Sequence, residues 1–127
     1  MAKSPQQIIY DALFQISLSL GYRTYPFLPA KETSYPFVYV GEQFDNDRNT
    51  KSIVYGDVMT RLHIYHDYRK RSELTGMMDN LKHEIRKLKR AEGFAINVKR
   101  INAQTVLDTT APDALYHGIV EVDITFN

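Results

Sequence analysis

The chain contains no cysteine, so disulfides and thiolate metal sites are excluded. It contains no tryptophan, and its glycines number only 6 in 127 residues, too few for a low-complexity or glycine-looped chain. No Gly-x-Ser-x-Gly elbow surrounds any serine, and no glycine-rich phosphate loop is present. No apolar run approaches the ~20 residues of a membrane helix. The first apolar stretch is broken by Asp11 and Gln15, unlike a secretory leader. After Arg100 there is no lysine or arginine at all. What is present is ordinary for a folded protein, 43% hydrophobic and 24% charged, which argues against general disorder. The expectation is one soluble, cytoplasmic domain over residues 1–127.

The net charge of +1 hides an uneven layout. Arg69, Lys70, Arg71, Lys82, Arg86, Lys87, Lys89 and Arg90 face only Glu73, Asp79 and Glu84 in the same stretch. The tail beyond Arg100 carries Asp108, Asp113, Glu121 and Asp123. Two solvated faces of opposite sign explain this, and so does head-to-tail association of copies.

Ser4-Pro5-Gln6-Gln7 opens a helix, with Ser4 as cap, Pro5 in the first turn and Gln7 placed to reach back. Ile9, Leu13, Ile16 and Leu20 make its core stripe, and Gly21 ends it. Tyr10, Phe14 and Leu18 form a second stripe, either further core or a partner surface. Residues 22–36, rich in Tyr and Pro, predict an irregular or edge segment. Phe37 to Val40 is a short strand, and the polar stretch Glu42 to Lys51 is expected to be a mobile loop. A strand from Ile53 to Asp67, bent or bulged at Gly56, alternates Val58, Thr60, Leu62 and Ile64 with Met59, Arg61, His63 and Tyr65. The second helix starts at Ser72 or Thr75 and packs through Leu74, Met77, Met78, Leu81, Ile85 and Leu88. Asp79, His83, Arg86 and Arg90 lie opposite, and Gly93 stops it. Phe94, Ile96 and Val98 alternate along a strand, and a turn near Asp108 to Asp113 follows. The last strand turns Tyr116, Gly118, Val120, Val122, Ile124 and Phe126 inward. The fold class is α+β in the order α-β-β-α-β-β, with an antiparallel or mixed sheet and two helices on one face.

Candidate chemistry is sparse. His63 and His66 sit three apart on a strand and point to opposite faces, so they do not chelate one metal. His83 lies on the exposed side of the second helix and His117 on the last strand, where tertiary proximity alone could gather a pair. Asp45-Asn46-Asp47-Arg48-Asn49 begins like a calcium loop, but Thr50 and Gly56 stand where glycine and glutamate are required. Glu121 and Asp123 share the outward face of one strand, near the surface.

Four segments carry a resemblance that covers nearly the whole chain. They are the Pro5–Leu13 helix, the Tyr35–Gly41 strand, the long Arg61–Asp67 strand before the second helix, and the closing Tyr116–Val122 strand. Together they resemble the tail terminator and head-to-tail joining (tail completion) proteins of long-tailed bacteriophages. The resemblance implies an α+β subunit of a ring, commonly a hexamer, that caps the tail tube and docks onto the head connector. It implies a virion location at the head–tail junction, the host cytoplasm during assembly, no cofactor and no enzymatic activity. Its partners would be further copies of the chain, the tail tube protein and the head connector protein, with no membrane or nucleic acid. The interface expected on pattern is Tyr10, Phe14 and Leu18, or the strand face of Arg61, His63 and Tyr65. Arg86, Lys87 and Arg90 would meet acidic neighbours such as Glu121 and Asp123. The loop carrying Glu42, Asp45, Asn46, Asp47 and Arg48 would order on contact. The alternatives are a nucleic-acid-binding α+β module using the basic helix and a small enzyme whose site is assembled from distant residues.

Overall fold

The computed structural model describes residues 3–49, 54–110 and 113–127. The elements run α1 (Pro5–Ser19), β1 (Thr24–Tyr25), β2 (Phe37–Asn49), β3 (Val54–Asp67), α2 (Arg71–Arg86), β4 (Arg90–Ala91), β5 (Phe94–Asp108) and β6 (Leu115–Phe126). The six strands form one sheet in the order β1-β2-β3-β6-β5-β4. β1 runs parallel to β2 and every other neighbouring pair is antiparallel, so the sheet is mixed and the fold is α+β. The long elements keep the expected order, and β1 and β4 are two-residue additions at the edges.

Alternation decides the faces. Val58, Leu62 and Ile64 of β3 and Val120, Val122 and Ile124 of β6 are buried under the helices. Leu13 of α1 and Leu74, Leu81 and Ile85 of α2 close on them with no exposed surface. Each such side chain contributes roughly 1.5–3 kcal/mol, so this single layer holds both helices to one face. The second stripe of α1 divides. Tyr10 and Phe14 pack against the core, and only Leu18 stays exposed. Gly118 lets α2 approach β6, because a Cβ there would meet Met78 Sδ at 2.5 Å.

Ser4 Oγ accepts from the Gln7 amide at 3.2 Å, the predicted cap. The Gln7 side chain donates to Asp11 at 2.8 Å instead of reaching back. Gly21, with φ +89°, terminates α1.

Several boundaries differ from the expectation. Glu42 to Asn49 is strand, not loop: Gln43 pairs with Thr60 and Asn49 with Val54. Ladder bonds come from the backbone, so an edge strand tolerates polar residues such as the exposed Asp45 and Asn46. The backbone of Asp45–Asn49 is extended and paired with β3, so it does not curl round an ion as a calcium loop does. Thr50 and Lys51, the end of the expected loop, lie outside the described residues, as do Ile53 and Pro112. The bulge falls in β2 between Val40 and Gln43, not at Gly56, which is in register with both Asp47 and Phe126. A Cβ at Gly56 would lie 3.1 Å from Phe126 Cζ, so glycine there makes room for a ring. α2 begins at Arg71 behind Lys70, without a side-chain cap, not at Ser72 or Thr75. It ends at Arg86, before Gly93, because the chain turns away to pair as β4, with Ile96 N donating to Lys89 O at 2.8 Å. Arg90 therefore belongs to β4, and Gly93, with φ +91°, makes the β4–β5 turn.

Candidate interaction surface

The helices leave the other face of the sheet open. Residues meet there by register: Tyr39 lies beside His63, and Tyr65 beside Phe37 on one side and His117 on the other. Their rings form a continuous stack. Tyr39 and His63 lie 4.6 Å apart at 11°, and Tyr65 and His117 lie 4.3 Å apart at 11°. Phe37 packs on Tyr65 at 5.4 Å, and Tyr35 stacks on Phe37 at 5.6 Å. Offset stacks of this kind contribute ~0.5–1.5 kcal/mol per pair beyond area burial, so a face without a covering helix is ordered by its own aromatics.

A hydrogen-bonded chain runs through the stack. The β2 bulge brings Glu42 over β3, and its Oε1 lies 2.6 Å from His63 Nε2. His63 Nδ1 lies 2.8 Å from His117 Nε2. Gly41 makes the approach possible, since a Cβ there would lie 2.9 Å from His63 Cδ2. Burial pulls the Glu42 carboxyl up, but its own backbone amide, His63 and Arg61 outweigh that and leave it below the ordinary value. An ionised Glu42 only accepts, so His63 Nε2–H donates to it. A neutral His63 then offers Nδ1 as acceptor to His117 Nε2–H. A proton added to His63 reverses that bond and requires His117 to accept. The His63–His117 bond thus accommodates one added proton across the pair, not two. Burial, then the neighbouring His63, pushes His117 below its ordinary value. Burial raises the Tyr65 hydroxyl to about 12, helped by Tyr39, so it stays protonated at neutral pH.

Arg61 lies alongside, with Nε 3.0 Å from Glu121 and Nη1 3.3 Å from Glu42. Its guanidinium also sits 5.6 Å from the centroid of the exposed Phe44 ring. Solvent screens exposed pairs of this kind, so they fix side-chain positions more than they stabilise the fold.

The predicted residues therefore divide into groups. Arg61, His63, Tyr65, Glu121 and Asp123 share the open face. His63 is no wetted residue, however, being only 5% exposed. Tyr10, Phe14 and Leu18 lie on α1, against the opposite face, and Tyr10 Oη donates to Val40 O at 3.4 Å. Arg86 and Lys87 stand at the end of α2 and Arg90 in β4, all exposed. Within one chain Glu121 is held by Arg61, not by these three. His66 faces the helices, as the alternation requires. Its Nδ1 accepts from the Asp67 amide at 2.8 Å, so Nε2–H donates to Glu73 at 2.7 Å and ties β3 to α2.

Sequence reasoning missed Glu42 as a partner of His63 and the pairing of His63 with His117. His117 was on the outward face of the last strand, which was a signal. The adjacency of β3 and β6 was not readable. Among the described residues, no group of three His, Asp or Glu is placed to hold a metal ion. Two surface depressions, of about 400 Å³ beside Phe126 and about 210 Å³ beside Gln104, are not lined by Glu42, His63 or His117. The His–carboxylate convergence that an enzyme would need is thus not part of either concavity.

No protein-family model matches the chain, and no curated protein matches it. Among solved structures it is similar to a chain of the virion of a native gene transfer agent particle, with TM-score 0.61 and 11% identity over 99% of this chain and 100% of that one. At that identity the likeness is one of fold. A second solved chain aligns with TM-score 0.49 and 15% identity over 98% of this chain and 97% of that one. The type 4 fimbrial biogenesis protein PilO from Pseudomonas aeruginosa aligns with TM-score 0.39 and 11% identity over 98% of this chain and 73% of its own. These two likenesses are too distant to carry an argument.

Proposed function

We propose that the chain is a structural protein of a phage-like virion, a single tail-completion-like domain that works through protein surfaces and not through catalysis. The observation that carries this is the end-to-end fold match to a virion component. In this reading copies close into a ring on the tail tube, stop its growth and present the surface that joins the head connector. The ordered aromatic face around Tyr39, Tyr65 and Arg61 suits a partner contact, since it is rigid before binding and loses little entropy on docking. The proposed charge contact between copies changes in one respect. Glu121 is already engaged by Arg61, which leaves Asp123 as the acidic neighbour for Arg86 and Arg90.

The nucleic-acid alternative has less support. Lys87 is paired with Glu84 at 2.8 Å and Lys82 with Asp79 at 3.5 Å, which offsets part of the basic cluster. Electron microscopy of purified tail tubes with added protein tests the proposal. A closed ring at one tube end is expected. Tubes that stay bare at both ends, or duplex-DNA binding with a steep salt dependence, would overturn it.

A further inference from the structure

The outer edge of β5 is complementary to itself. β4 and the preceding Lys89 cover that edge only as far as Ile96: Arg90 pairs with Ala95, Ala91 with Phe94, and Ile96 N donates to Lys89 O. Among the described residues, no strand pairs with the edge from Val98 to Asp108. Ala95 and Asn127 exchange both backbone bonds, at 2.9 and 3.1 Å. Odd-numbered residues of β6 therefore turn their backbone groups to β5. Their partners Arg100, Asn102, Gln104, Val106 and Asp108 turn back to β6. Ile101, Ala103, Thr105 and Leu107 then point N–H and C=O away from the sheet. Natural edges of this length are blocked by a charge, a proline or a bulge. Here the bulge falls earlier, between Val98 and Arg100, and nothing from Ile101 to Leu107 is charged or proline.

Read antiparallel about Gln104, two copies place Arg100 of one opposite Asp108 of the other, twice over. The same register places Ile101 opposite Leu107, twice. Arg100 and Asp108 lie on the open face, in register with Asp123 and Leu115 of β6. They would fall in the non-hydrogen-bonded pairs, where side chains approach closest. Leu107, 49% exposed in the single chain, would be covered by the second copy's Ile101. A slip of two residues loses both Arg–Asp pairs, so charge selects the register.

We infer that two copies of this chain join edge to edge through β5 into a two-fold dimer with one continuous sheet. This goes beyond the ring. An isologous contact closes on itself, so the dimer is a state of the free protein that hides an otherwise adhesive edge.

Analytical ultracentrifugation of the full chain from about 1 µM to about 1 mM tests it, a span suited to weak association. A reversible monomer–dimer equilibrium is expected. Arg100→Asp and Asp108→Arg each create two like-charge pairs and should weaken dimerisation roughly thirty-fold. Mixing the two variants should restore a one-to-one heterodimer, and the double variant should restore the homodimer. Thr105→Pro removes an outward N–H without touching the β6 ladder and should leave monomer. Circular dichroism confirms that each variant is folded. Monomer across the whole range, single reversals without effect, variants that fail to pair on mixing, or oligomers that survive Thr105→Pro would each overturn the inference.

Discussion

Gly41→Ala puts a methyl group where the open face has no room. Its Cβ would lie 2.9 Å from His63 Cδ2, 3.1 Å from His63 Nε2 and 3.2 Å from Tyr39 Cε2. Ordinary contact begins roughly half an ångström further out. His63 is poorly placed to yield, held by Glu42 at 2.6 Å and His117 at 2.8 Å and stacked on Tyr39. Overpacking costs ~1–3 kcal/mol, and weakening the bond to an ionised Glu42 adds part of ~1.5–3 kcal/mol. The expected loss is about 2 kcal/mol. For a chain of this length that is a fall in Tm of about 7 °C, readable as a lowered urea midpoint with unchanged slope. The decisive assay is a double-mutant cycle. With His63→Ala in the background the added methyl has space, so most of the Gly41→Ala cost should disappear. An equal cost in both backgrounds would refute steric conflict with His63 as its cause.

Other outcomes follow from the same geometry. Leu62→Ala removes a fully buried side chain at the centre of β3 and should cost ~2–5 kcal/mol by denaturant unfolding. Ser4→Ala removes the acceptor for the Gln7 amide and should cost ~1 kcal/mol, with a loss of amide protection confined to the first turn of α1. The folded state holds His117 below the ~6.5 of the unfolded chain, so the unfolded chain binds more protons as pH falls through that value. The stability from this group is complete above about pH 6.5 and declines below it. The depressed carboxyls of Glu42, Asp11 and Asp108 act only in a lower window, below about pH 4.5. Urea midpoints across these windows should show the upper slope flatten in His117→Gln while the lower one persists.

Much of the architecture was legible because it follows local periodicity. Leu62 and His63 had to fall on opposite faces of β3, and Val120 and Ile119 on opposite faces of β6, whatever lay beside them. The Ser4 cap and the Gly21 stop depend on backbone groups within a few residues. Boundaries set by remote pairing were not legible. Glu42 to Asn49 looks like a loop by polarity and becomes strand because Val54 to Thr60 supplies the opposing ladder. Gly93 looks like a helix stop, yet α2 ends at Arg86 because the next residues pair with β5.

The amino-acid order alone determined which side chains could share a face, since side-chain direction alternates along any strand. Only the tertiary structure decided which strands became neighbours. Setting β6 against β3 in one register brought His117 to His63, and the β2 bulge brought Glu42 to the same ring. It also left the edge of β5 from Val98 to Asp108 without a paired strand among the described residues. Those contacts depend on hydrogen bonds between segments far apart in the chain, and no local pattern encodes that pairing.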